Sequence, residues 1–198
     1  MIGRALVGAI AAAVVLFILG FIFHASGLQG IATGSLDNPR AAAVQQSLAA
    51  NLPETGTFQV PSDGTAEQTV MYGQGPIATI HYNTSGFAIG DPGTLLIGFL
   101  HMLIVALLMA AGLGAVSRFV PDFGERTRML VLGVIGATAF IHLREPIWFH
   151  HDWTHFIYLF IADTISLLAA GLVILKLLPR THGAAAPAAA PAEAPTDV

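Results

Sequence analysis

The chain has 198 residues, 55% of them hydrophobic and only 10% charged, with a formal net charge of −4 and a mean hydropathy of +0.71. Soluble domains carry about 25% charged residues, so this composition excludes an ordinary water-soluble globule and a disordered chain, and it points to a bilayer as solvent. The few bases exclude a nucleic-acid footprint, and the lack of cysteine removes disulfides, thiolate metal sites and cysteine nucleophiles.

Four stretches are apolar enough to cross a hydrocarbon core of about 30 Å, which takes about 20 helical residues. The first runs from Ile2 to Phe23, with Arg4 near its start. Its apolar core exceeds the 7–15 residues of a signal peptide, and His24-Ala25-Ser26-Gly27 is a poor cleavage site, so an uncleaved anchor is expected.

Residues 24–92 are too polar to span and are expected to form a small α/β domain outside the membrane. Asn38-Pro39 reads as an N-cap followed by proline, and Leu52-Pro53 stops the helix it opens. Strands are expected at Thr57–Val60, Gln68–Tyr72 and Ile77–Tyr82, with a hairpin turn at Gly73-Gln74-Gly75. His81 alternates within a strand and reads as a solvated or cross-strand residue. So small a core is marginal, so the domain is expected to lean on the membrane helices or on a second subunit.

The remaining spans are expected at about Thr94–Val116, Met129–Trp148 and Thr154–Leu178, followed by a disordered Ala/Pro-rich tail over 179–198. Arg4, Arg118, Arg126, Arg128, Lys176 and Arg180 fall on one side of such a topology. The positive-inside rule makes that side cytoplasmic, with both termini there and 24–92 outside. The fold class is therefore a four-helix transmembrane bundle with a small extracytoplasmic helix-plus-hairpin domain between helices 1 and 2. Gly8/Ala12, Gly133/Ala137 and Ala162/Ser166/Ala170 offer small-residue faces for helix packing.

Eight histidines equal the whole count of Lys plus Arg, and six of them fall toward the outer face: His24, His101, His142, His150, His151 and His155. Arg144, Glu145, Asp152 and Asp163 join them, and Arg144, Glu145 and Asp163 are expected to be buried and paired, since ionisable groups in a span face the bundle. Three readings stay open. In the first, Trp148 and Trp153 form an interfacial belt and the histidines decorate the headgroup zone. In the second, His150, His151 and His155 with Asp152 hold Zn, Cu or Fe, His151 and His155 sharing a helix face at i, i+4. In the third, His101 and His142 ligate a b-type haem from neighbouring helices. Convergence of His101, His142, His155 and Asp163 would favour a site; side chains on different faces would leave only the interfacial reading.

The run Leu19-Gly-Phe-Ile-Phe, the helix closing on Ala50-Asn-Leu-Pro, the strand Gly56-Thr-Phe-Gln-Val-Pro, the turn Trp148-Phe-His-His-Asp-Trp153 and the stretch Phe160 to Val173 with Asp163 and Gly171 together resemble an uncharacterised family of small four-pass bacterial inner-membrane proteins with a periplasmic insert. The resemblance implies the fold and no catalytic residue. In that family the aromatic turn is Trp/Tyr/Asn-rich rather than His-rich, and this departure favours the interfacial reading. The expected role is a non-enzymatic accessory, scaffolding or assembly component that meets a membrane-protein partner or its own copy. The alternative is a metal- or haem-binding redox or transport protein.

Overall fold

The computed structural model describes residues 2–178; the expected tail at 179–198 lies outside the described residues. Four helices are long and apolar enough to cross a membrane. They are α1 (Ile2–His24), α4 (Pro92–Val116), α5 (Phe123–His142), which the short α6 (Arg144–Phe149) prolongs, and α7 (Trp153–Leu177). Contacts divide the chain into two compact units, residues 34–92 and the remainder.

Within the helical unit, α7 is the central element, with α1 and α5 both packed along it. Its buried residues Ala162, Ser166, Ala170 and Ile174 recur every fourth position, and Leu178, just past its end, continues the row. Those of α5 do the same: Arg126, Leu130, Val134 and Thr138. Rows at i, i+4 on both helices interdigitate, and small residues on one side let the other come close. At Gly171 a Cβ would stand 2.6 Å from both methyl carbons of Leu130, so only glycine fits there as packed. On α1 the buried face is Ala9, Ala12, Ala13 and Leu16, and a Cβ on Gly8 would lie 3.7 Å from the Ile174 Cα. Helix α4 is the least enclosed. It buries Ala106 and Ala110 and meets α1 through an edge-to-face Phe17–Phe99 pair at 5.7 Å.

These contacts make α1 and α5 antiparallel to α7, and α4 antiparallel to α1. One end of the bundle therefore collects Arg4, Arg118, Arg126, Arg128 and Lys176, and the other collects His24, His101, His142, His150, His151 and His155. Gly8 and Ala12 pack as the sequence suggests, and so do Ala162, Ser166 and Ala170. Gly133 and Ala137 do not: both are exposed, and nothing lies within 4 Å of a Cβ on Gly133.

Helix starts are set by caps rather than by the first apolar residue. Asp122 Oδ1 accepts from Glu125 N at 2.8 Å, so α5 begins at Phe123, ahead of the expected Met129. Asp152 accepts from the backbone N–H groups of Thr154 and His155, which starts α7 at Trp153. The loop after α1 also belongs to the helical unit. A 3-10 turn at Leu28–Ile31 leads to Ala32, which is buried.

The second unit contains α2 (Asn38–Asn51), β1 (Gly56–Val60), α3 (Ala66–Gln74) and β2 (Ala78–Tyr82). Strands β1 and β2 pair antiparallel with Phe58 opposite Ile80 and Thr57 opposite His81, and Thr57 Oγ1 lies 3.1 Å from His81 Nδ1. The α2 cap is Asp37, which accepts from Arg40 N at 2.9 Å, one residue ahead of the expected Asn38. The strand expected at Gln68–Tyr72 and the turn at Gly73-Gln74-Gly75 are corrected to helix α3. Thr65 accepts from Gln68 N at 3.2 Å, Glu67 sits favourably in the first turn, and Gly75 at φ +67° ends the helix. A cap outweighs the β preference of three residues. No residue from 34 to 92 is buried.

Substituting Gly171→Val should destabilise the bundle by about 1–3 kcal/mol through overpacking, with partial recovery in the Leu130→Ala double variant. Unfolding midpoints in mixed detergent check both.

Candidate functional site

At the histidine-rich end, α1, α5 and α7 each contribute one ionisable side chain to a single cluster. His24 is the last residue of α1, His142 the last of α5, and Asp163 lies inside α7. His142 Nε2 is 2.7 Å from Asp163 Oδ2, the length of a charge-assisted hydrogen bond. His24 Nε2 stands 3.8 Å from the other oxygen, Oδ1, within ion-pair range but beyond a direct hydrogen bond. One carboxylate thus lies between two imidazoles. The His142 side chain is 13% exposed and that of Asp163 40%, so Asp163 is partly open rather than buried as expected. His142 is the better enclosed partner.

The register that brings His142 to Asp163 also places hydroxyls one turn deeper. Thr138 Oγ1 and Thr164 Oγ1 are 2.7 Å apart, and Thr138 Oγ1 also donates toward Val134 O at 2.9 Å. Ser166 Oγ donates to Ala162 O at 2.8 Å. Beyond Ser166, the α5–α7 seam is apolar through Val134, Leu130, Ala170 and Ile174. The polar groups are therefore confined to one end of the seam.

Two further contacts tie α7 to the end of α1 and to the loop that follows it. Tyr158 donates its hydroxyl to Phe23 O at 2.5 Å while its ring meets Phe23 edge-on. His155 Nδ1 lies 3.2 Å from Ala32 O; a carbonyl only accepts, so Nδ1 carries the proton of that bond.

The four residues expected to form a metal site are not brought together. His151 precedes α7, so it shares no helix face with His155. Its ring stacks between Phe149 and Phe156, with Nδ1 3.5 Å from Glu145 Oε2. His155 is turned to Ala32, Asp152 caps α7 through both carboxylate oxygens, and His150 is exposed in a left-handed conformation at φ +54°. Among the described residues no group of three or more His, Asp or Glu is arranged to hold a metal ion. The haem pair does not assemble either. His101 is exposed on α4, which packs on α1, and the Nε2 of His142 that would ligate iron is taken by Asp163.

Arg144 and Glu145 pair with each other, Arg144 Nε donating to Glu145 Oε1 at 3.1 Å. The Arg144 side chain is 53% exposed, with its guanidinium 6.0 Å from the Phe140 ring centroid. Arg144 is therefore a surface residue on an aromatic face, not the buried one expected. Of His101, His142, His155 and Asp163, only His142 and Asp163 meet.

Three members of the cluster were not singled out as site residues: His24, Thr138 and Thr164. His24 carried a signal, since it ends a span at the same level as His142. Thr138 lies four residues before His142 and so on the same face. Thr164 had no such marker.

Chemically, a carboxylate flanked by two imidazoles links three helices at this end. Removing one partner leaves the other polar group unpaired in an apolar setting, which is costly. Asp163→Ala and His142→Ala should each destabilise the fold by about 1–3 kcal/mol, and the double variant should lose less than the sum. Thr138→Val should cost about 0.6 kcal/mol, typical of a hydrogen bond between spans. Unfolding midpoints of the purified single and double variants measure these differences.

Comparison with known proteins finds no matching family model, no similar curated protein and no similar solved structure. A functional reading therefore rests on this geometry alone, and the resemblance to four-pass inner-membrane proteins stays an expectation drawn from the residues.

Proposed function

We propose that this chain is a non-enzymatic accessory, scaffolding or assembly component of a membrane complex. In this reading it lies in a bacterial inner membrane with both termini cytoplasmic and the segment between α1 and α4 periplasmic. The gathering of Arg4, Arg118, Arg126, Arg128 and Lys176 at one bundle end supports that orientation.

The observation that carries the proposal is that residues 34–92 form capped helices and a paired hairpin yet contain no buried residue. A domain of about 60 residues ordinarily hides roughly 60% of the surface its unfolded chain exposes. This unit leaves Leu36, Val70, Phe87 and Ile89 exposed, so ordered secondary structure there calls for a surface supplied from outside the unit. A membrane-protein partner or a second copy of the chain supplies it. The outward Gly133/Ala137 face of α5 offers a second contact, through which a neighbouring helix can approach closely.

Cross-linking in native membranes, followed by purification in mild detergent, tests the reading. A partner chain or a self-associated species should be captured through residues 34–92, and Gly133→Val with Ala137→Val should weaken it. A lone monomer whose 34–92 amides are already protected from hydrogen exchange would overturn the reading.

One observation favours the second reading, a histidine-based redox or transport protein: Asp163 between His24 and His142 is the only carboxylate inside the four described spans away from their ends. Elemental analysis and a visible absorption spectrum of the purified protein decide it. Stoichiometric metal or a Soret band lost in His142→Ala would establish that reading over the first.

A further inference from the structure

The basic end of the bundle holds a different irregularity. Arg126 lies one turn inside α5, is 2% exposed, and heads the fully buried side chains by volume. Its side chain folds back toward the N-terminus of its own helix, as helical side chains do. There Nε donates to Asp122 O at 3.3 Å and Nη2 to Pro121 O at 3.2 Å. Nη1 is buried and has no hydrogen-bond partner. No carboxylate stands within ion-pair distance of this guanidinium among the described residues, although Asp122 and Glu125 occupy the same turn. A guanidinium cannot shed its charge to relieve such a position. Its remaining N–H groups call for an anionic acceptor that the described bundle does not supply.

What surrounds it narrows the chemistry. The guanidinium sits at the carbonyls of Pro121 and Asp122 that lead into α5, next to a first turn whose backbone N–H groups have no partner within the helix and whose dipole favours negative charge. Asp122 Oδ1 satisfies only that of Glu125. Around it, Arg4, Arg118, Arg128 and Lys176 are exposed at the same end, against the acids Asp122 and Glu125. First-turn backbone N–H groups and a forked guanidinium suit the several oxygens of a phosphate better than a single acceptor. Basic sites between spans, at the level where helices leave the hydrocarbon, meet phosphate as lipid headgroup.

We propose that the N-terminal end of α5 is a phosphate-binding site anchored by Arg126 Nη1. Its occupation parts the side chains that cover Nη1 and gives the buried charge its missing acceptor. The exposed bases attract the anion and Arg126 holds it. The phosphate is carried either by an anionic phospholipid or as the free ion, and the same donors serve both.

The test uses the full chain in phosphatidylcholine nanodiscs with phosphatidylglycerol introduced stepwise, retained lipid being counted by native mass spectrometry. A second arm adds inorganic phosphate without anionic lipid. Arg126→Gln should weaken binding by about tenfold, equivalent to about 1.4 kcal/mol, whereas Arg128→Gln, which removes an exposed base of the same end, should change it by less than about twofold. Arg126→Lys guards against misfolding: it keeps the charge, loses the fork, and should bind with intermediate strength. Retention of phosphatidylglycerol with no response to inorganic phosphate assigns the site to a headgroup; a response to inorganic phosphate alone assigns it to the free ion. Equal losses in Arg126→Gln and Arg128→Gln, or no loss in either, would overturn the proposal, because the end would then act only as a diffuse basic surface.

Discussion

Close backbone approach along α7 is the constraint on which the rest of the helical unit depends. Lipid tails are as apolar as leucine, so apolar side chains alone give spans no reason to leave lipid for each other. Contact has to come from surfaces that fit. Ala162, Ser166, Ala170 and Gly171 leave α7 smooth enough for Leu130 of α5 to lie against its backbone, and Gly8 of α1 meets Ile174 in the same way. Both neighbours are seated by residues with almost no side chain. Helix α4 has no comparable seam and buries only two alanines.

The seam also determines which polar groups meet. In the antiparallel register that seats Leu130 against Gly171, Thr138 meets Thr164 and His142 meets Asp163 toward the other end. The cluster at that end is thus a consequence of packing several turns away. The opposite end shows what happens when the same row ends in a charge. Arg126 occupies the α5 position two turns before Val134 and is buried with it, yet the row brings no acceptor to its Nη1. Along one stripe, a histidine is satisfied at one end and a guanidinium is left short at the other.

The segment from 34 to 92 obeys a different logic. Its order is local: Asp37 and Thr65 cap helices, and the β1–β2 ladder pairs neighbouring strands. Together they only half-bury apolar side chains such as Leu48, Leu52, Phe58, Tyr72 and Ile80, and no residue there is fully buried. Local hydrogen bonds add little net stability in water, so such a unit differs from a self-sufficient domain. That difference is the ground on which an external contact is proposed for the segment.

The sequence by itself determined the number of membrane-length apolar helices and their approximate limits, because a charge deficit and unbroken apolar runs are one-dimensional properties. It also determined that bases and histidines segregate, since alternation of antiparallel spans follows from chain order. Caps refined the limits, with Asp122 and Asp152 moving helix starts that apolar runs alone misplace. Thr65 turned a β-rich stretch into α3, where a local hydrogen bond outweighed side-chain preference. The tertiary structure alone decided which histidines meet an acid. Imidazoles at similar depth are indistinguishable in a sequence, but rotation about each helix axis sends His101 outward, His155 to a backbone carbonyl and His142 to Asp163. That rotation is set by which small residues face which neighbour, as the contrast between the packed Gly171 and the outward Gly133 shows. The same property left Arg126 buried: its position was legible in the sequence, but its want of an acceptor belongs to the packing.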